Sequence, residues 1–201
     1  MKTPDEFIVY DSETTGLLHE GGKLVELGAV RYWLKDGEIK ELARFQCYIN
    51  EPGRRVHGHA FKVNGITAEV LESEGISEAE AVTALWEFGE GCVLWVSYNG
   101  LAFDNKLINP ALSRVGLGPI KAADCFDVMK QYLAKAQKLR KPRFASYGMF
   151  HGIVPRKRIK CSLSHVAALH GVKVPEGGRE HSALTDALVT AGVFAKISPF
   201  F

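Results

Sequence analysis

The order of apolar and polar positions along the chain predicts a sheet that begins with an antiparallel meander. Residues 7–10 form an apolar run of the kind found in buried strands. Residues 23–34 and 38–50 predict two further strands, and Asp36-Gly37 between them is a two-residue hairpin signal. We therefore expect three consecutive strands to lie side by side at the start of the fold.

The remainder of the chain alternates between extended and helical patterns. Residues 139–160 are expected to be irregular, because two prolines and two glycines interrupt them, and residues 54–65 show no regular pattern. Asn109 and Pro110 are expected to cap and open a helix, with residues 103–108 as a candidate earlier helical piece bent against it. In this part of the chain we predict strands at 92–96 and 120–123. We predict helices at 68–73, 78–88, 109–115, 126–138, 162–170 and 183–196. This alternation predicts an α/β fold with a mixed sheet flanked by helices.

Length and composition favour one ordinary globular domain. The 201 residues suffice for a complete core, so we expect a single domain over residues 1–201. No apolar run approaches the roughly 20 residues needed to cross a bilayer, and the N-terminus lacks a signal pattern, so no membrane association is expected. The four cysteines are scattered without a C-x-x-C pair, which argues against a zinc site or a disulfide framework and favours a cytoplasmic setting.

The charge of the chain is unevenly distributed. Residues 1–127 hold 12 Lys/Arg and 20 Asp/Glu, a net of −8, whereas residues 128–201 hold 13 Lys/Arg and 3 Asp/Glu, a net of +10. Residues 131–172 contain no acid at all. Such a skew suggests a polyanionic partner for the second half.

A basic insertion at residues 138–160 concentrates this positive charge. It holds eight Lys/Arg, with three aromatic residues interleaved: Phe144, Tyr147 and Phe150. Basic side chains can follow a phosphate backbone and aromatic rings can stack on unpaired bases, so Arg156, Lys157 and Arg158 are candidate nucleic-acid contacts. The alternative is a solvated loop whose aromatic rings fill the core beneath it.

Two acids close the first strand. Asp11 and Glu13 are two residues apart, so their side chains leave a strand on the same face, directly before a Gly-bearing turn. Like charges held this close are unfavourable unless a cation lies between them. The pair is therefore either half of a divalent-metal site or the solvated end of a strand.

Three more polar residues offer the other half of such a site. Asp104 follows the strand at 92–96, Asp186 lies in an otherwise apolar helix, and His181 precedes it by five residues. Each has an ordinary structural interpretation as well. Asp104 is also a typical helix cap, His181 a typical first-turn residue, and Asp186 a possible partner for a surface lysine.

Together these segments resemble the motifs of a known family. Asp11-x-Glu13-Thr-Thr-Gly-Leu, Asn99-x-x-x-Phe103-Asp104 and His181-x-x-x-x-Asp186 are similar to the three motifs of the DEDDh 3′–5′ exonucleases. That group includes proofreading subunits of bacterial replicative polymerases, RNase T, oligoribonuclease and the three-prime repair exonucleases. The resemblance covers nearly the whole chain, and it implies an RNase H-like fold with a five-stranded mixed sheet.

The resemblance also implies roles for individual residues. Asp11, Glu13, Asp104 and Asp186 would hold two divalent cations, Mg²⁺ or Mn²⁺. His181 would be the general base and, with Glu13, one of the two catalytic residues. The implied contacts to the terminal nucleotide are Thr14, Thr15, Gly16, Leu17, Ile66, Asn99 and Phe103.

Two positions depart from the family pattern. Asn64 stands where relatives carry a histidine before Gly65-Ile66, which weakens the expectation of a base contact there. Ser12 lies between the two acids and is expected to be harmless, because its side chain points away from them.

The expected activity is hydrolysis of 3′-terminal phosphodiesters of single-stranded DNA, releasing nucleoside 5′-monophosphates, in repair or proofreading. The alternatives are an exoribonuclease acting mainly on RNA and a nucleic-acid-binding module that has lost catalysis. The partner is single-stranded or 3′-overhang nucleic acid, and a homodimer or a polymerase partner stays open. Phe200 and Phe201 either pack on the core or on a second subunit.

Overall fold

The computed structural model describes residues 6–35, 37–56, 58–179 and 181–200. Its centre is a mixed sheet with the strand order β4-β3-β2-β1-β5-β6. The strands are β1 (Glu6–Thr14), β2 (Leu24–Lys35), β3 (Glu38–Ile49), β4 (Gly75–Ile76), β5 (Leu94–Ser97) and β6 (Cys125–Asp127). The predicted meander is confirmed, because β1 pairs with β2 and β2 with β3, both antiparallel. The other pairings, β3 with β4, β1 with β5 and β5 with β6, are parallel.

Eight α-helices are found among the described residues. They are α1 (Gly58–Asn64), α2 (Ala68–Glu74), α3 (Glu78–Phe88), α4 (Asp104–Arg114), α5 (Val128–Ala136), α6 (Tyr147–Ile153), α7 (Leu163–Leu169) and α8 (Ala183–Ile197). None of them has the length and apolar character needed to cross a membrane. The α/β prediction is confirmed.

The sheet differs from the predicted one at its two edges. It has six strands rather than five, because the two-residue strand β4 pairs with Tyr48 and Ile49 of β3. A two-residue strand is too short to show any periodicity in the sequence. The last strand, β6, was predicted at 120–123 but lies at Cys125–Asp127, after a 3₁₀ helix at Ala122–Asp124.

Several helix boundaries also differ. Helix α4 begins at Asp104 and contains Pro110, so the predicted cap at Asn109 is wrong. The Asn109 side chain instead donates to the carbonyl of Ile120 and accepts from its N–H, a tertiary contact that local patterns do not reveal. Helix α1 and helix α6 lie within segments expected to be irregular. The Asp36 part of the predicted hairpin signal lies outside the described residues.

The two faces of the sheet bury separate cores, and this division positions the functional residues. Phe7 and Val9 of β1 face α8, where Phe194 packs on Phe7 with ring centroids 5.2 Å apart. Ile8 and Tyr10 face the opposite way, toward α3 and α4. The alternation continues to the end of β1. Asp11 and Glu13 therefore point toward the α8 face, and Ser12 points toward the α4 face.

Phe200 packs on the core. Its ring lies 5.8 Å from Phe126, 5.5 Å from Tyr147 and 6.0 Å from Phe194, measured between centroids. Of the two alternatives for Phe200, packing on the core is therefore the one that the structure shows. Phe201 lies outside the described residues.

Candidate metal centre and active site

Three of the four predicted metal ligands form a compact group at the end of β1. One carboxylate oxygen from each of Asp11, Glu13 and Asp186 lies within 4.8 Å of the other two. Asp186 belongs to the first turn of α8, which packs across β1 and β2. Three hard oxygen ligands at this spacing form a donor set that suits Mg²⁺ or Mn²⁺.

Asp104 approaches the same place from the other face of the sheet. It is the first residue of α4, its side chain is buried, and its charge raises the pKa of Asp11. The Ser12 Oγ donates a hydrogen bond to Asp104 Oδ1. Ser12 does point away from Asp11 and Glu13, and its hydroxyl contacts Asp104 instead. That serine is a harmless departure at this position stays a prediction.

The acids interact unfavourably in the absence of a cation. Burial raises the pKa of Asp11 well above its ordinary value, and the charges of Asp104, Asp186 and Glu13 raise it further. Burial followed by the charge of Asp186 raises the pKa of Glu13 to about 8. Burial raises the pKa of Asp104 to about 6, although hydrogen bonds from Ser12 oppose the shift. A bound divalent cation would reverse these shifts by favouring the carboxylate forms, so the site fits a metal centre.

His181 lies beside this group on the segment that leads into α8. Its Nδ1 is 4.0 Å from Asp186 Oδ2, and about half of its side chain is exposed. Its backbone is left-handed, with φ of +57°, a conformation that few residues other than glycine adopt. The imidazole is thus next to the acids and accessible to solvent.

The turn after β1 is ordered by its own hydrogen bonds. The Thr15 N–H donates to the Lys23 carbonyl at 2.9 Å, and Thr14 Oγ1 donates to the Gly16 carbonyl at 2.8 Å. Leu17 leaves half of its surface exposed beside this turn. The arrangement places an exposed apolar side chain and a hydrogen-bonded backbone directly after the strand that carries Asp11 and Glu13.

Asn64 and Ile66 support this turn from beneath. The Asn64 Nδ2 donates to the Thr14 carbonyl at 3.2 Å, and the Asn64 Oδ1 accepts from the Ile66 N–H at 3.2 Å. Ile66 is 1% exposed and packs with Val25 and Leu71. Its contact to a terminal base stays a prediction, and Leu17 offers more apolar surface for it.

Asn99 and Phe103 lie in the turn between β5 and α4. Asn99 has a left-handed φ of +67°, and its N–H donates to Asp127 Oδ1 at 3.1 Å. Phe103 is half-buried and directly precedes Asp104. The turn therefore places both predicted nucleotide contacts next to the fourth acid.

The basic insertion lies beside this same turn. The Tyr98 hydroxyl donates to the Cys161 carbonyl at 2.8 Å, and the charge of Arg156 acts on Tyr98. Arg156, Lys157 and Arg158 are all exposed. The three aromatic residues of the insertion differ in whether they fill the core or are free to contact a nucleic acid. Phe150 is buried and Tyr147 packs on Phe126, whereas Phe144 is 92% exposed.

Sequence reasoning missed two buried acids near the site. Asp127 ends β6 and accepts from the Asn99 and Lys130 N–H groups, and burial raises its pKa to about 6. Glu26 lies in β2 directly opposite Glu13 and is completely buried. The sequence could have indicated both acids, because each is a charged residue beside or within an apolar run typical of a buried strand.

Comparison with known proteins agrees with this geometry. The exonuclease family model described as RNase T matches residues 8–194. DNA polymerase III of the PolC type from Staphylococcus aureus is 28% identical over 193 residues, which are 95% of this chain and 11% of that protein. The same polymerase type from Halalkalibacterium halodurans is 34% identical over 116 residues, 58% of this chain and 8% of that protein. The chain thus spans about a tenth of the length of the curated relatives it matches.

Solved structures share the fold. Escherichia coli Exonuclease I bound to a dT13 oligonucleotide superposes with a TM-score of 0.71 and 15% identity, over 97% of this chain and 41% of that one. Cell-death related nuclease 4 superposes with a TM-score of 0.69 and 13% identity, over 96% of this chain and 64% of that one. The RNase H-like exonuclease fold predicted from the motifs is confirmed. Because the family model covers most of its length, this chain belongs to the exonuclease family.

Proposed function

We propose that this protein is a metal-dependent 3′–5′ exonuclease that removes nucleotides one at a time from the 3′ end of single-stranded DNA. The observation that carries the proposal is the group formed by Asp11, Glu13 and Asp186, with Asp104 and His181 at its border. Oligonucleotide-bound Exonuclease I, which shares the fold, supports a single-stranded substrate.

The four acids would hold two divalent cations, Mg²⁺ or Mn²⁺. When bound, such ions supply positive charge that stabilises the attacking and leaving oxygens of an in-line displacement at phosphorus. The protein's own contribution is to hold three carboxylates in one small volume, with Asp104 near enough for its charge to act on Asp11. Two come from one strand, and each of the others comes from the first turn of a helix on either face of the sheet.

His181 is proposed as the general base. Its Nδ1 faces Asp186 Oδ2 at 4.0 Å, which leaves Nε2 available to accept a proton from the attacking water. The exposed position of the ring allows that proton to pass to solvent. The products are a nucleoside 5′-monophosphate and a strand one nucleotide shorter.

The strand behind the terminal nucleotide is proposed to run along the basic insertion. Arg156, Lys157 and Arg158 would contact phosphates, and the exposed ring of Phe144 would stack on a base. The whole of residues 1–201 is proposed to act as a single exonuclease domain with this insertion. An exoribonuclease is the second candidate, because the metal and base residues do not distinguish the two sugars.

A cleavage time course tests the proposal. A 5′-labelled single-stranded DNA would be incubated with Mg²⁺, Mn²⁺ or EDTA, beside its RNA counterpart and a duplex. We expect a ladder that shortens from the 3′ end, absent with EDTA and absent in Asp11→Asn. The matched control is Asp124→Asn, an exposed acid in the 3₁₀ helix before β6, which should cleave normally. Metal-dependent cleavage by Asp11→Asn would contradict the assignment, and no cleavage of any substrate by the unsubstituted protein would favour the binding module.

A salt titration tests the basic insertion separately. Replacing Arg156, Lys157 and Arg158 by alanine removes three candidate phosphate contacts, so the slope of log affinity against log salt should fall by about 2 for single strands. The charge-matched control replaces three exposed lysines elsewhere: Lys35, Lys40 and Lys173. Equal slopes in the two triple variants would show that the insertion does not contact the strand.

A further inference from the structure

A buried carboxylate connects β2 to the segment that carries His181. Glu26 is directly opposite Glu13 in the β1–β2 ladder, so its side chain lies on the α8 face of the sheet. Glu26 Oε1 accepts from Gln46 Nε2 at 2.6 Å and from Ser182 Oγ at 3.1 Å. Ser182 directly follows His181 and is the last residue before α8. The contact therefore joins the middle of the sheet to the residue next to the proposed base.

The helix start is fitted closely to the same strand. Gly28 lies two residues beyond Glu26, on the same face of β2. A Cβ atom at Gly28 would lie 2.2 Å from the Leu184 backbone nitrogen and 2.3 Å from the Ala183 carbonyl carbon. The backbone of α8 thus rests directly on β2, and the Glu26 bond holds the residue immediately before it.

Ser182 does not use its hydroxyl in the ordinary way for its position. A serine at the N-cap normally accepts from an N–H of the first turn, but Ser182 makes no such bond and donates to Glu26 instead. The preceding His181 is left-handed, a conformation that surrounding contacts must maintain. The local structure therefore gives up a helix cap and accepts backbone strain at the point where the Glu26 contact is made.

Fold stability does not explain a carboxylate at this position. Glu26 adds to the charges that raise the pKa of both Asp11 and Glu13, and its Oε2 finds no hydrogen-bond partner among the described residues. A neutral or apolar side chain at this buried position near the start of β2 would avoid both costs. Among the described residues, the Glu26 carboxylate accepts hydrogen bonds from the side chains of Gln46 and Ser182.

We propose that Glu26 is a positioning residue that acts through Ser182 to hold His181 and the first turn of α8 against the acid group. This inference rests on the proposed role of His181 as the base. Glu26 is completely buried, and its carboxylate is not a member of the Asp11–Glu13–Asp186 group. Its function is to restrict the backbone of the segment that carries His181 and Asp186.

Kinetics of single and double variants test the proposal. Glu26→Ala should lower kcat by about 10- to 100-fold with little change in KM, since a small displacement of a catalytic group has effects of that size. Glu26→Gln keeps an oxygen that can accept from Ser182 and should retain most of the activity. In a His181→Ala background, Glu26→Ala should have a clearly smaller further effect, because its action on His181 is already removed and only its action on the first turn of α8 remains. A full additional loss in that background would overturn the proposal.

The matched control is Glu6→Ala. Glu6 lies at the other end of β1, and its half-buried carboxylate bonds to Arg31 of β2 at 2.7 Å. This variant removes a strand carboxylate and its bond to Arg31 without altering the His181 segment, and it should leave kcat unchanged. A loss of kcat in Glu6→Ala equal to that in Glu26→Ala would show that the effect is general destabilisation and would refute a positioning role.

Nuclear magnetic resonance relaxation provides a test that needs no activity. In Glu26→Ala and in Ser182→Ala, the backbone order parameters of His181 and Ser182 should fall below about 0.6, while Glu6→Ala leaves them unchanged. Unchanged order in both site variants would overturn the proposal. Ser182→Ala alters a residue outside the sheet. The order parameters can therefore be measured in this variant even if Glu26→Ala does not fold. If these order parameters fall in the variants but the unsubstituted protein cleaves no substrate, the positioning role of Glu26 is supported and the proposed exonuclease function is rejected.

Discussion

Replacing Glu13 by glutamine should stabilise the protein in the absence of metal. The Glu13 carboxylate lies with Asp11 and Asp186 in one small volume, and burial with the charge of Asp186 raises its pKa from 4.5 to about 8. The folded protein therefore holds a proton that the unfolded chain releases above pH 4.5. Stability is lost as the pH rises from 4.5 to about 8, and the loss is complete above that value.

The size of the effect follows from the shift. A change from 4.5 to about 8 corresponds to roughly 5 kcal/mol when the group is fully ionised, which is an upper limit because neighbouring acids share the same protons. We expect Glu13→Gln to raise the free energy of unfolding at pH 9 by about 2 to 5 kcal/mol, and to have little effect near pH 4.5.

Urea unfolding in EDTA at pH 5, 7 and 9 measures the difference. The control is Glu87→Gln, an exposed position on α3, which should change stability by less than about 0.5 kcal/mol at each pH. Saturating Mn²⁺ should reverse the order of stability, because the cation binds the ionised carboxylates of the native site. A Glu13→Gln effect that is absent at pH 9, or equal at pH 5 and pH 9, would refute the electrostatic account of the acid group.

Three further substitutions test separate parts of the site. His181→Ala should lower kcat by about 10²- to 10⁴-fold, as expected for a general base, and an unchanged kcat would remove that role. Ser12→Ala removes the hydrogen bond to Asp104 and should lower metal affinity or kcat by about 10- to 100-fold, whereas Ser12→Thr, which keeps the hydroxyl, should retain most of both. Gly28→Ala forces the start of α8 off β2 and should cost about 1 to 3 kcal/mol of stability, compared in urea unfolding with Gly118→Ala, where a Cβ meets nothing within 4 Å. Equal stability of the two glycine variants would show that α8 does not depend on that close approach.

The organisation of the sheet explains why the four acids converge. Side chains alternate between faces along β1, so Asp11 and Glu13 meet Asp186 of α8 on one face, while Ser12 reaches Asp104 of α4 on the other. The site lies at the end of β1, where the two helix starts come together. A change of one residue in the β1 register would exchange the two faces and separate the acids.

Local sequence was enough to predict the acids, the meander and the general fold. Asp11 and Glu13 are two apart at the end of an apolar strand, and His181 and Asp186 are five apart at a helix start. The resemblance of these motifs to those of the DEDDh exonucleases, rather than the spacing alone, predicts their chemistry. The helix boundaries of α3 and the cap of α7 at Ser162 are also confirmed, because capping depends on residues within one turn.

Only the tertiary structure decided which distant residues support the site. The bond from Ser12 to Asp104 joins residues 92 apart, and that from Ser182 to Glu26 joins residues 156 apart. Neither can be read from local spacing, since both depend on which strand and helix come together at the end of β1. The local pattern of residues 139–160 likewise does not distinguish the exposed Phe144 from the buried Phe150, because burial there depends on which distant residues pack against the segment. The sequence by itself determined which groups are candidates for the chemistry, because residue types and their spacing are local, and the packing of two helices on one strand decided how these groups are held.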